Sequence, residues 1–123
     1  MRRALLTIAA LLAPICASAE HLDVIQFKLK EGCTLETEVA IKNDFNVQWG
    51  KSHGYAAEIA SPVTSNDLGS LYWIGRSANA EAFGKAWDTW RNEVSDPKST
   101  AGKLEERFQK CGTNESRHSY DTY

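Results

Sequence analysis

Residues 71–90 read LYWIGRSANAEAFGKAWDTW and hold three of the chain's four tryptophans. The stretch changes its period halfway along. Gly69 to Ser77 has the short, aromatic, β-branched character of a strand, with Trp73 on one side and Tyr72 and Ile74 on the other. Beyond it, Ala82, Phe83, Ala86, Trp87, Trp90 and Val94 recur at helical spacing, and Ser77 or Asn79 supplies an N-cap oxygen. Asp96-Pro97 stops the helix. A strand that runs straight into an amphipathic helix is the unit around which the rest of the chain can be ordered.

Working towards the N-terminus, SPVTSND is turn chemistry, and Tyr55 to Val63 reads as a strand that Pro62 pushes to an edge or a strand end. Before that, Thr34 caps a helix with Glu36 and Glu38 in its first turn, where acids suit the helix dipole. Leu35, Val39, Ile41, Phe45 and Trp49 form its apolar stripe, and His53-Gly54 is its stop. His21 to Lys30 alternates as a first strand, with Ile25, Phe27 and Leu29 on one face and Leu22, Val24, Gln26 and Lys28 on the other. Towards the C-terminus a shorter helix spans about Thr100 to Lys110, and residues 116–123 alternate weakly as a last strand. The order is β-α-β-β-α-(short α)-β. That is the ferredoxin-like βαββαβ arrangement, an α+β fold whose two main helices cover one face of an antiparallel sheet. The other face is not cleanly polar, since Val24 opposes Ile25 in sidedness and Tyr72 and Ile74 flank Trp73. An apolar sheet face calls for a cover, and a second copy about a two-fold axis is the simplest one.

The chain's start has a different composition. Arg2 and Arg3, the apolar run Ala4 to Ala13 and the small residues Ala17-Ser18-Ala19 predict a secretory signal, residues 1–19, cleaved after Ala19. Removing 19 of the 123 residues leaves 104, one domain spanning 20–123 and exported to a periplasmic or extracellular space. Without Arg2 and Arg3, the 14 basic residues become 12 against 16 acidic ones, a net charge of −4 with no basic stripe. Nucleic acid is therefore not an expected partner. No later segment approaches the roughly 20 apolar residues of a membrane helix, so no membrane anchor is expected. Cys33 and Cys111 are the two cysteines left, separated by 78 positions from 33 to 111. In an exported chain they are expected to form one structural disulfide.

Taken together, a strand ending in Lys30-Glu31-Gly32, a helix closing at His53-Gly54, the passage YWIGRSANAEAFGKAW and the Asp96-Pro97 break resemble the dimeric α/β-barrel superfamily. That group includes antibiotic-biosynthesis-monooxygenase-like and NIPSNAP-like domains. The likeness runs over nearly all of residues 21 to 123. It implies a homodimer whose two sheets form a barrel, with a cleft between each sheet and its own helices. Members include cofactor-free oxygenases of polycyclic phenols, haem-degrading enzymes, isomerases and proteins without known activity. The haem-degrading oxygenases use a first-strand Asn, and the matching position here falls at about Ile25, which cannot hydrogen-bond a substrate.

Several residues are candidates for a site. Trp73, on the most aromatic strand, is expected to line a cleft, with Tyr72 and Tyr55 as companions. Arg76 offers a bidentate contact to a ligand carboxylate, and Asn79 stands beside it. His53 is the candidate base, its imidazole titrating near neutrality; the alternative is a helix-end histidine that interacts with the dipole. Trp49, Trp87 and Trp90, on helix faces, are expected to be packing. His21 and His118 pair with nothing at metal-ligand spacing, so no metal is expected. The absence of hydrolase, P-loop and dinucleotide motifs leaves those classes without support. The reading is a small exported protein that binds an apolar or aromatic molecule in a Trp/Tyr-lined cleft, without a cofactor. One alternative is a cofactor-free monooxygenase or isomerase acting on a phenolic substrate. Another is a structural dimerisation module with no ligand.

Overall fold

The first strand, β1 (Glu20–Leu29), sits at the centre of the sheet because both of its sides are paired. The computed structural model describes residues 19–123, and residues 1–18 of the expected signal segment lie outside the described part. The remaining elements are α1 (Leu35–Phe45), β2 (Ala56–Ala60), β3 (Leu71–Ser77), α2 (Ala80–Glu93), α3 (Thr100–Cys111) and β4 (Gly112–Thr122). The sheet order is β2-β3-β1-β4 and every neighbouring pair is antiparallel. This is the ferredoxin-like βαββαβ fold, with α3 added before the last strand.

Alternation along β1 sorts its residues between two environments. His21, Asp23 and Phe27 are buried under the helices, and Lys28 is exposed on the opposite face. The register places Asp23 between Gly75 of β3 and Ser119 of β4, and Ile25 between Trp73 and Arg117. A bulge between Gln26 and Phe27 leaves Glu115 of β4 without a partner residue.

Three strand boundaries differ from expectation by two residues or more, and the first is β3, which begins at Leu71 and not at Gly69. β2 ends at Ala60, short of Val63, because Pro62 cannot donate to a ladder. β4 begins at Gly112 and not at residue 116. Residues 112–115 carry no apolar alternation; their pairing with β1 makes them a strand, and the polar side chains suit an exposed edge.

The helices begin where their caps predict. The Thr34 hydroxyl accepts from Thr37 N–H, Asn79 from Ala82 N–H and Ser99 from Gly102 N–H. The first helix continues past Phe45 through a π turn, Asn46–Gly50, and a 3₁₀ turn, Lys51–His53. Gly54, at φ 65°, then ends it in the left-handed region that favours glycine. The buried stripe of α1 differs from the expected one. Glu38, Ile41, Phe45 and Trp49 face inward, while Leu35 lies exposed. Glu38, expected as a first-turn acid, is buried on that stripe, and Val39, expected on it, is only half-buried.

Phe45 is the centre of the core, meeting Trp73 edge-on at a centroid distance of 5.0 Å and Tyr55 and Trp90 at 5.6 Å. Truncating so enclosed a ring costs about 3 to 5 kcal/mol. α3 seals the layer with Ala101 and Leu104, both fully buried. Cys33, before α1, is bonded to Cys111 at the end of α3, with Cα atoms 5.4 Å apart. The bridge joins the start of one helix to the junction of α3 and β4. The sheet's outer face carries Leu22, Val24, Tyr72 and Ile74, all half-buried, and Tyr120, which is 53 % exposed. No helix of the described residues is long and apolar enough to cross a membrane.

Candidate ligand cavity

Between the helix layer and the inner face of the sheet lies a cavity of about 540 Å³. Aromatic rings are prominent in its wall, among them Phe45, Tyr55, Trp73, Trp87, Trp90 and Phe108. Its lining includes the exposed residues Thr113 and Asn114 of β4. The three tryptophans of the 71–90 passage therefore share one space. Trp87 and Trp90, expected as packing, are half-buried on α2 and face the cavity. Helical spacing identifies an apolar face but not whether its neighbours fill the space in front of it.

One end of the cavity is a closed polar network. Asp23, 1 % exposed, receives two parallel hydrogen bonds from Arg117, Nε to Oδ1 and Nη2 to Oδ2, each 2.7 Å. Tyr55 donates its hydroxyl to Asp23 Oδ2 at 2.8 Å, and Trp73 Nε1 donates to the Tyr55 oxygen at 2.9 Å. The Arg117 guanidinium lies 3.8 Å above the Trp87 ring centroid. This bidentate geometry is what a buried carboxylate requires to offset its lost hydration. Gly75 makes it possible: a Cβ there would fall 1.8 Å from the Tyr55 hydroxyl oxygen, so only a bare backbone lets the ring cross β3. Burial, and then the neighbouring Asp23 carboxylate, push the Tyr55 hydroxyl well above the ordinary tyrosine value. Tyr55 therefore stays protonated and acts as a hydrogen-bonding group rather than a phenolate.

At the other end stands Glu38, 2 % exposed. Its Oε1 has no hydrogen-bond partner among the described residues, and burial raises its carboxyl above the ordinary glutamate value. Lys30 and Gln109 flank that end, the lysine ammonium held on the Gln109 carbonyl.

The candidates from the sequence divide sharply. Trp73 and Tyr55 line the cavity. Tyr72 lies on the outer face of the sheet, because it is one residue out of phase with Trp73. Arg76 is on that same outer face, paired with Glu20 at 3.3 Å and Glu58 at 3.6 Å. Asn79 caps α2 with its side-chain oxygen. His53 stacks on the outside of Trp49 with centroids 4.0 Å apart, and its Nδ1 is 2.8 Å from the Trp49 carbonyl. It finishes the helix end and does not line the cavity. The candidate base is thus placed away from the space where a ligand would sit.

Sequence reasoning missed Asp23, Arg117 and Glu38. A signal existed for two of them. Asp23 interrupts the apolar face of β1, and Glu38 falls on the spacing of Ile41 and Phe45. Charges in such places are almost never buried unless they are paired or functional. Nothing local marks Arg117, which stands 94 residues from Asp23. Among the described residues, no three metal-ligating side chains come together.

No protein-family model matches the chain. No curated protein matches it in sequence. Solved structures do resemble its fold. A conserved protein of unknown function from Bacteroides thetaiotaomicron, described as a possible oxidoreductase, aligns with a TM-score of 0.55 at 10% identity, covering 86% of this chain and 100% of that one. SnoaB, a cofactor-independent oxygenase from Streptomyces nogalater, aligns with a TM-score of 0.53 at 16% identity, over 86% of this chain and 95% of its own. A dimeric protein of unknown function and ferredoxin-like fold from Bacteroides fragilis gives a TM-score of 0.42 at 13% identity, over 84% and 94%.

Proposed function

We propose that this protein binds a small, planar, aromatic molecule between its sheet and its helices. The aromatic-lined cavity of about 540 Å³ carries the reading. Its size falls within the range of ligand sites, and its mixture of apolar walls with a few fixed polar groups is how such sites achieve orientation. The mature chain works in an exported, oxidising compartment, which suits a disulfide between Cys33 and Cys111. A second copy covers the outer sheet face over Leu22, Val24, Tyr72 and Ile74.

A second reading, cofactor-independent oxygenation or isomerisation of a phenolic substrate, is favoured by the Asp23–Arg117–Tyr55–Trp73 network. A hydrogen-bonded network of that kind beside an aromatic wall can hold a developing charge. The fold likeness to SnoaB points the same way. In either case His53 is not the base, because it lies outside the cavity.

The test is native mass spectrometry of residues 20–123 exported into an oxidising compartment, with naphthalene titration followed by tryptophan fluorescence. A dimer with a dissociable extra mass, or quenching that saturates, is expected. A protein that carries no extra mass and shows no quenching by naphthalene sinks the binding reading. A monomer sinks the two-copy arrangement alone.

A further inference from the structure

The cavity's two ends differ in chemistry, and the difference bears on what it selects. At the Asp23 end the groups satisfy one another: carboxylate, guanidinium, phenol and indole form a continuous chain of hydrogen bonds. A ligand there meets a closed network. Glu38 is the opposite case. It is a cavity-lining acid, 2 % exposed, with an oxygen that has no partner among the described residues. A Cβ placed on Gly112 would meet Glu38 Oε1 at 3.4 Å and Phe27 at 3.2 Å, so the carboxyl is packed against backbone and ring.

The charged and polar groups around Glu38 have other engagements. Lys30, at the end of β1, is bonded to the Gln109 carbonyl. Glu105 of α3 accepts from Gln109 Nε2 at 2.9 Å. Lys42, one turn along α1, is bonded to Asn43 Oδ1. Thr113 and Asn114 of β4 are exposed, and Cys33 and Cys111 are bonded to each other and do not titrate. No ion pair to Glu38 forms among the described residues. A buried, unpaired carboxyl keeps its proton, because burial penalises the charged form. Its elevated titration agrees with that geometry. In that state it is a hydrogen-bond donor, and its Oε1 is the one buried side-chain polar atom of the cavity lining without a partner among the described residues.

We propose that Glu38 is the specificity-determining hydrogen-bond donor of the cavity, selecting planar aromatic ligands that carry a neutral carbonyl oxygen. The inference rests on the binding reading above. The ligand's ring system lies against the aromatic wall of the cavity, and its carbonyl meets the Glu38 hydroxyl. Along β1, Asp23 and Phe27 are four residues apart, so the two ends are separated by about 13 Å. Occupancy follows pH with a definite sign. As pH rises through the Glu38 titration the donor is lost, a carboxylate faces the carbonyl, and binding weakens.

The experiment uses 9-fluorenone and fluorene, which share a shape but differ by a carbonyl in place of a methylene. Binding to the mature, disulfide-bonded protein is read by tryptophan quenching between pH 4 and 8. Wild type is expected to prefer fluorenone by on the order of 3- to 10-fold at the acidic end, as for one hydrogen bond. The preference disappears as pH rises. Glu38→Gln, which keeps an N–H donor, retains a preference that no longer varies with pH, and Glu38→Leu binds both compounds alike. A fluorenone preference that survives in Glu38→Leu, or is flat with pH in wild type, overturns the role of Glu38 and leaves the binding reading standing. Failure of both compounds to bind wild type overturns both.

Discussion

Replacing Asp23 by Ala is the most informative perturbation of this fold. The carboxylate is 1 % exposed and anchors three hydrogen bonds, two from Arg117 and one from Tyr55. Removing one member of a buried pair costs about 3 to 5 kcal/mol when the remaining charge stays buried. Here the Arg117 side chain is 33 % exposed and can turn to solvent, which puts its share below that range, about 2 kcal/mol. Tyr55 cannot escape, since its ring is locked across Gly75, and its orphaned hydroxyl adds about 1 to 2 kcal/mol. The total is about 3 to 4 kcal/mol. For a domain of this size that lowers Tm by roughly 12 to 25 °C. Urea denaturation of the oxidised protein measures it directly. The companion Arg117→Ala leaves the fully buried carboxylate with the Tyr55 hydroxyl and no counter-charge, and is expected to cost at least as much. The double mutant should then recover about 1 to 3 kcal/mol relative to the sum of the single changes. Single losses below about 0.5 kcal/mol with no coupling would refute the claim that this network is desolvated and mutually dependent.

Two further outcomes are expected. Reducing the Cys33–Cys111 bridge, which closes a loop of separation 78, should lower stability by about 4.5 kcal/mol in the chain-entropy model; a midpoint unchanged in reductant would show that the bridge constrains nothing. Glu38 has its carboxyl raised on folding, so its contribution is fully present below the ordinary glutamate titration and is lost as pH rises through the raised one. Glu38→Gln should therefore gain stability relative to wild type as pH increases from 4 to 7, and a gain that does not grow with pH would contradict the buried, unpaired state.

Much of the architecture was legible along the chain. Period two in His21 to Lys30 and the aromatic run to Ser77, helical spacing from Ala82 to Val94, and the caps at Thr34 and Asn79 are local signals set by backbone geometry. They place the elements in ferredoxin-like order without any long-range information. The pairing of Cys33 with Cys111 needed only parity once Cys16 is assigned to the expected signal segment, since two remaining thiols have a single intramolecular choice. Where local signal was weak, as at residues 112–115, the strand came from β1 offering its open edge.

The site was less legible because its decisive quantities are relations between distant residues. His53 beside Gly54 has the composition of a catalytic histidine, yet the turn that follows Trp49 points it to the outside. Tyr72 and Trp73 are neighbours in sequence, but one step in a pleat separates the outer face from the cavity. Sequence by itself determined the kinds of element, their order, and the apolar faces of β1, β3 and α2, because these follow from periods of two and of 3.6 residues within single segments. Only the tertiary structure decided that Asp23 meets Arg117, that Gly75 makes room for Tyr55, and that the faces carrying Trp73, Trp87 and Trp90 leave a space between them. Those outcomes depend on strand register and helix placement, and no local period carries that information.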